Sequence, residues 1–271
     1  LLFWVPETPR YLAINHQSEK ALSILTRING AQIAKKVMND IQQSVHVASA
    51  SIFSYGKLVV VIGILLSVFQ QFVGINVVLY YAPRIFESMA GSSKDISMLQ
   101  TVVMGIVNII FTVVAIATVD KFGRKPLLII GSIGMALGML VIGTMSYFKI
   151  IGLGTLVFII IYSASFMMSW GPICWVLIAE IFPNNIRGKA VAIAVAAQWI
   201  ANFLVSSTFP FLIGINEPFT YYLYGIMSIL SAFFVWKFVP ETKGKTLEEM
   251  ETLWKPSLEQ QQETLEVSKK A

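Results

Sequence analysis

Phe69-Gln70-Gln71-Phe72-Val73-Gly74-Ile75-Asn76-Val77-Val78-Leu79-Tyr80-Tyr81 lies inside a run, Leu58 to Pro83, that contains no charged residue. At about 1.5 Å of rise per residue, a helical run of that length crosses the roughly 30 Å hydrocarbon core of a bilayer. Gln70, Gln71 and Asn76 therefore sit near membrane depth. Amides are costly there unless hydrogen-bonded, so they are expected to face other helices or a watered cavity rather than lipid. On an unbroken helix, at about 100° per residue, Gln71 and Asn76 would point roughly 140° apart. A local unwinding at Gly74 would bring them together, and membranes tolerate such breaks where they line a binding cavity.

Five more uncharged runs follow, at 96–119, 126–148, 150–179, 190–216 and 218–236, each long enough for a spanning helix. The composition agrees: 56% of the 271 residues are hydrophobic and 13% are charged, whereas water-soluble domains carry about a quarter charged residues. A multi-spanning membrane protein is the expected class, with the lipid bilayer as its solvent. The net charge of +5 does not describe a nucleic-acid surface, because the basic residues sit in short connections between apolar runs. If the stretch before Leu58 is cytoplasmic, 17 of the 20 Lys and Arg residues fall on that side, leaving Arg84, Lys94 and Lys149 on the other. That asymmetry predicts that both ends of the segment are cytoplasmic. The lone Cys174 lies in an apolar run and has no partner for an internal disulfide.

The expected organisation has four parts. Residues 1–5 read as the end of a preceding transmembrane helix, without a signal peptide, and residues 6–56 as a cytoplasmic helical linker. Residues 57–238 form a six-helix transmembrane bundle, and residues 239–271 a cytoplasmic tail, helical at first and then disordered. In the linker, Leu22, Leu25 and Ile28, then Ile33, Val37 and Ile41, recur at helical spacing around an Asn29-Gly30 turn, which predicts short amphipathic helices on the membrane surface. His16 and His46 read as solvated surface residues, with no Cys or acidic partner at metal spacing. Pro6-Glu7-Thr8-Pro9-Arg10 returns as Pro240-Glu241-Thr242-Lys243-Gly244 after the last apolar run, an echo that points to duplicated halves with an N-terminal six-helix partner.

Several motifs carry chemistry. Asp120-Lys121-Phe122-Gly123-Arg124-Lys125-Pro126 is a basic inside turn with Gly at its bend and Pro opening the next helix. Asp120 and Arg124 are also placed to pair with Glu180 and Arg187 from the next inside turn, and ion pairs between helix ends would lock one conformation and open in another. Gly171-Pro172 removes a backbone donor in mid-membrane, giving either a simple kink or a second discontinuous helix beside the one at Gly74. Trp175 follows with a flat face. An aromatic face against the apolar side of a ring-shaped polyol, with amides bonding its hydroxyls, makes an uncharged sugar site. Gln198 and Asn202 share one helix face, with Trp199 beside them, and serve either as interhelical contacts or as ligand contacts. No Asp, Glu, His, Lys or Arg occurs inside the spans, so nothing there supplies a base, nucleophile or metal ligand. An enzyme is not expected, nor is a cofactor.

Taken together, Gln70-Gln71-x-x-Gly74-x-Asn76-x-x-x-Tyr80-Tyr81, Asp120-x-x-Gly123-Arg124-Lys125, Gly171-Pro172-x-x-Trp175, Glu180-x-x-Pro183-x-x-x-Arg187-Gly188 and Pro240-Glu241-Thr242-Lys243-Gly244 resemble the sugar porter family of the major facilitator superfamily. Within it, Phe69 to Pro83 and Ser169 to Asn202 look most like bacterial proton-coupled xylose carriers. The resemblance implies an all-α membrane fold, this chain being the C-terminal six-helix bundle of a twelve-helix transporter with its cytoplasmic linker helices. It implies that Gln70, Gln71, Asn76, Trp175 and Gln198 contact a monosaccharide, with Tyr80, Asn108, Gly171 and Trp199 lining the site. Asp120, Arg124, Glu180 and Arg187 would form the inward gate. The implied activity is uptake of D-xylose with protons by alternating access, in the inner membrane of a bacterium. The coupling carboxylate would lie in the other half. An uncoupled facilitator, a symporter for arabinose, galactose or glucose, and a sugar-sensing membrane receptor are the competing expectations.

Overall fold

The computed structural model describes residues 7–15, 17–45, 51–81, 94–150, 152–245, 250 and 253–254, and every described element is a helix or a turn. The end of a preceding span expected at residues 1–5, both histidines, and most of the expected tail lie outside the described residues.

Residues 1–51 and 52–271 form two compact units. In the first, α1 (Pro9–Ile14), α2 (Ser18–Asn29) and α3 (Ala31–Val45) pack around Leu12, Ala13, Ala21, Leu25, Ala34 and Met38. Thr8 opens α1 by accepting a hydrogen bond at its Oγ1 from the Tyr11 amide, at 3.3 Å. Of the linker's periodic residues, Leu25 is buried, and Leu22, Val37 and Ile41 pack against this core. Ile28 and Ile33 instead flank the Gly30 turn in the open, so the apolar pattern continues past the core that the three helices enclose.

Among its described residues the second unit holds six helical runs long and apolar enough to cross a membrane, at Lys57–Tyr81, Gln100–Phe122, Arg124–Tyr147, Gly154–Ile181, Asn185–Ile215 and Glu217–Phe238. They coincide with the six uncharged runs. Two are interrupted. The first consists of α4 (Lys57–Phe72), a break, and α5 (residues 75–81). Gly74, at φ +91°, makes this break in a conformation that costs a residue with a Cβ. The Tyr224 ring fills the space beside it, 2.8 Å from where a Cβ would stand. Next come α6 (Lys94–Phe122) and α7 (Arg124–Tyr147). The second interrupted run consists of α8 (Leu153–Met168) and α9 (Trp170–Ile181), and α10 (Asn184–Ile215) and α11 (Glu217–Phe238) complete the set.

The second interruption falls at Ser169 rather than at Gly171-Pro172. Pro172 has no N–H to give the carbonyl four residues upstream, Met168, and that is where α8 stops. Pro172 itself is then the third residue of α9, in the first turn, where a missing N–H costs nothing. The Trp170 indole holds the break in place, donating to Ser132 Oγ at 2.7 Å and to the Leu128 carbonyl at 3.2 Å on α7. Packing is closest between α7 and α11, between α7 and α8, and between α4 and α10, with Ser132 and Ser231 hydroxyls 3.0 Å apart across the α7–α11 contact.

Gly74→Ala is expected to lower stability by about 1–3 kcal/mol, because it combines an unfavourable φ with a collision against the Tyr224 ring. The thermal unfolding midpoint of the purified protein in detergent reads the loss.

Candidate functional site

The two interruptions face one another across a cavity of about 420 Å³. Its wall comes from α4 and α5, from α6 at Thr112, from the α8–α9 junction, and from Gln198, Trp199 and Asn202 of α10. Every lining residue is uncharged among the described residues.

Gln70 is the most constrained polar group in the site. It is 3% exposed, and its Nε2 donates to the Trp170 carbonyl at 2.9 Å and, more weakly, to the Gly171 carbonyl at 3.4 Å. Its Oε1 accepts from Gln198 Nε2. One amide therefore ties α4, just before its break, to the first residues of α9, just after the other, and also to α10.

A second network lies beside it. Asn76 Nδ2 donates to Gln71 Oε1 at 2.6 Å and to Asn202 Oδ1 at 3.0 Å, and Ser206 Oγ donates to Asn202 Oδ1 at 3.2 Å. The turn at Gly74 brings the Gln71 and Asn76 side chains into contact with each other. This arrangement leaves Gln71 Nε2, Asn202 Nδ2 and Asn76 Oδ1 without a protein partner among the described residues.

Two of the three nearby indoles offer faces to the cavity: Trp175 is 44% exposed and Trp199 61%. The third, Trp170, is fully buried and belongs to the helix junction. Tyr80 and Gly171 also line the wall. Asn108 does not. Its Oδ1 accepts from Ser163 Oγ at 2.7 Å and its carbonyl from Thr112 Oγ1 at 2.8 Å, so it joins α6 to α8, and Thr112, one turn on, takes the place in the wall. Asn202 was legible as a partner of Gln198 from the four-residue spacing. Thr112, Phe166 and Met167 had no signal in the sequence that set them apart from other apolar-run residues.

At the far end of α9 the charges assemble around Arg124. Its Nε and Nη2 form a two-pronged bond to Glu180, at 3.1 and 2.9 Å, and its Nη1 reaches Asp120 at 2.9 Å. Thr242 Oγ1 donates to Glu180 at 2.6 Å. Arg187 differs from the sequence expectation: its Nε and Nη2 both donate to the Phe182 carbonyl, at the C-terminal end of α9, rather than to Glu180. Glu241 takes a role the sequence did not disclose. Its carboxylate accepts from the backbone amides of Arg124 and Lys125, both at 3.0 Å, and so sits on the N-terminus of α7. It also accepts from the amides of Thr242 and Lys243. Gly123, at φ +91°, makes room, since a Cβ there would stand 2.6 Å from the carboxylate.

A family model described as sugar (and other) transporter matches residues 1–254. The D-xylose-proton symporter of Escherichia coli strain K12 is 52% identical, over 97% of this chain and 56% of that protein. The glucose facilitated diffusion protein of Zymomonas mobilis is 42% identical, over 94% of this chain and 56% of that protein. A major facilitator superfamily proton:xylose symporter solved with 6-bromo-6-deoxy-D-glucose superposes with a TM-score of 0.79 at 52% identity, covering 94% of this chain and 55% of its own. The chain thus spans about half the length of the relatives it matches.

Glu241→Ala is expected to destabilise the protein by about 1–3 kcal/mol by orphaning backbone donors at the start of α7. Asp120→Asn, whose acid side chain is 81% exposed, should cost no more than about 1 kcal/mol. Paired thermal unfolding in detergent ranks the two.

Proposed function

Since the chain belongs to the sugar (and other) transporter family, whose members are carriers rather than enzymes, we propose that it is half of a secondary transporter that takes up a monosaccharide, D-xylose first, with protons. The observation that carries the reading is the cavity itself. It combines five side-chain amides with two accessible indoles and contains no charge among the described residues, which suits a neutral polyol and repels an ion. Gln71, Asn76, Gln198 and Asn202 supply the hydroxyl partners, and Trp175 and Trp199 the faces for the ring.

A second six-helix half completes the carrier. The span on α6 is only 17% buried, against 61% for Lys57–Tyr81. Val102, Ile106, Ile109, Val113 and Ile116 of α6, with Trp199, Ile200 and Phe203 of α10, are exposed on the helices that flank the cavity. A facing bundle covers such surfaces and closes the cavity on its open side. The segment sits in a bacterial inner membrane with both ends cytoplasmic, where the Asp120–Arg124–Glu180 cluster holds helix ends together in one state and releases them in the other. Proton coupling requires a titratable group at membrane depth, which the other half contributes. Facilitated diffusion without protons is the second reading, favoured by the absence of any carboxylate, histidine, lysine or arginine in this half of the cavity among the described residues.

Addition of xylose to de-energised cells expressing the full-length protein is expected to make the medium alkaline and to load the cells with labelled sugar. Sugar entry without alkalinisation selects facilitated diffusion, and no entry rejects the transporter of xylose. Gln71→Ala and Trp175→Ala should each weaken xylose binding by about 1 kcal/mol or more, read by titration of the purified protein.

A further inference from the structure

The break in the first span leaves one backbone carbonyl to be accounted for. Before the break the amide of Val73 donates to the Phe69 carbonyl at 3.1 Å and that of Gly74 to Gln71 at 2.9 Å, and after it the pattern resumes with Val78 donating to Gly74 at 3.3 Å. In an unbroken helix the Val73 carbonyl would accept from the amide four residues on, that of Val77. Here Val77 is the third residue of α5, in a first turn whose amides have no intrahelical acceptor. The Val73 carbonyl accepts instead from the hydroxyl of Tyr162, on α8, at 2.7 Å. Val73 and Tyr162 are both 0% exposed, so this bond is made out of the reach of solvent. Ser163, the next residue, donates to Asn108 and ties the same turn of α8 to α6.

The consequence reaches the cavity, although Tyr162 does not line it. Gly74 permits the break without choosing it, since glycine adopts a helical φ about as readily as the +91° seen here. The second break is enforced by Pro172, which cannot continue α8, but the first contains no proline. A buried carbonyl without a donor is costly, and the donor nearest to Val73 along the chain is the Val77 amide. Making that bond would carry the helix through Gly74 and turn Asn76 roughly 140° away from Gln71. Building on the sugar-site reading, we propose that Tyr162 is a positioning residue: by meeting the Val73 carbonyl from α8, its hydroxyl keeps the first span broken and holds Asn76 against Gln71 and Asn202 at the cavity wall.

The test uses the full-length protein in detergent, with xylose affinity read by calorimetric titration and stability by the thermal unfolding midpoint. Tyr162→Phe keeps the ring and removes the donor; it should bind xylose about tenfold weaker and unfold at a lower temperature. Adding Val77→Pro to that variant removes the amide that would heal the helix, at the same third position that Pro172 occupies in α9. Affinity should then return to within about twofold of the unmodified protein while the midpoint stays low, because the Val73 carbonyl still has no donor. A role confined to stability moves both readouts together and gives no such split. Unchanged affinity in Tyr162→Phe overturns the proposal, as does a loss of affinity that Val77→Pro does not reverse. If Tyr162→Phe does not fold, Val77→Pro alone decides: the broken span makes no helical use of that amide, so binding within about twofold of the unmodified protein is expected, and loss of binding overturns the proposal. Failure of the unmodified protein to bind xylose rejects instead the sugar reading on which the proposal rests.

Discussion

The hydrogen bond from the Gln70 amide to the Trp170 carbonyl is the point on which the site turns. A bilayer supplies no water to backbone groups, so a helix that stops inside it must find partners for what it exposes. Here the two interruptions are solved together. Gly74 bends the first span so that Asn76 returns to Gln71, and Gln70, a residue earlier, crosses to the start of α9. The cavity is the room left between two broken helices that side-chain amides tie to one another. It is polar without being charged, because the ties are amides.

The same logic appears at the other end of α9, with charge in place of amides. Outside the hydrocarbon an ionised group is affordable, and Arg124, Glu180, Asp120 and Glu241 gather there around the ends of α6, α7 and α9. The two-pronged Arg124–Glu180 contact joins α7 to α9, the helix whose first residues meet Gln70. A shift of α9 therefore bears on the amide network at one end and on the ion pairs at the other. The alternating access proposed above would use α9 as the mechanical link between the two.

Much of this was legible in the residues. The six spans follow from uncharged length, and Gly74 announced its break because glycine alone adopts that φ at no cost. The Ser169 break was misplaced by a few residues, because a proline acts on the carbonyl four positions before it while its own place in the next first turn is comfortable. Asn108 misled for a different reason: an asparagine on an apolar span satisfies a ligand or a neighbouring helix equally well, and only the position of Ser163 decides which. Ile28 and Ile33 show the limit of periodicity, which marks an apolar face and not what covers it. Glu241 was visible only as half of a repeated tripeptide, since its partners are backbone amides more than a hundred residues away.

That last contact carries a consequence for how the protein can change over time. When two side chains pair, the loss of one is open to repair by altering the other, and the pair drifts together through lineages. Glu241 binds main-chain N–H groups, which every residue but proline offers alike. No exchange at Arg124 or Lys125 restores what a replaced glutamate gives up, and none betrays the contact through correlated variation. The clip is thus fixed in sequence at one position and silent at the other.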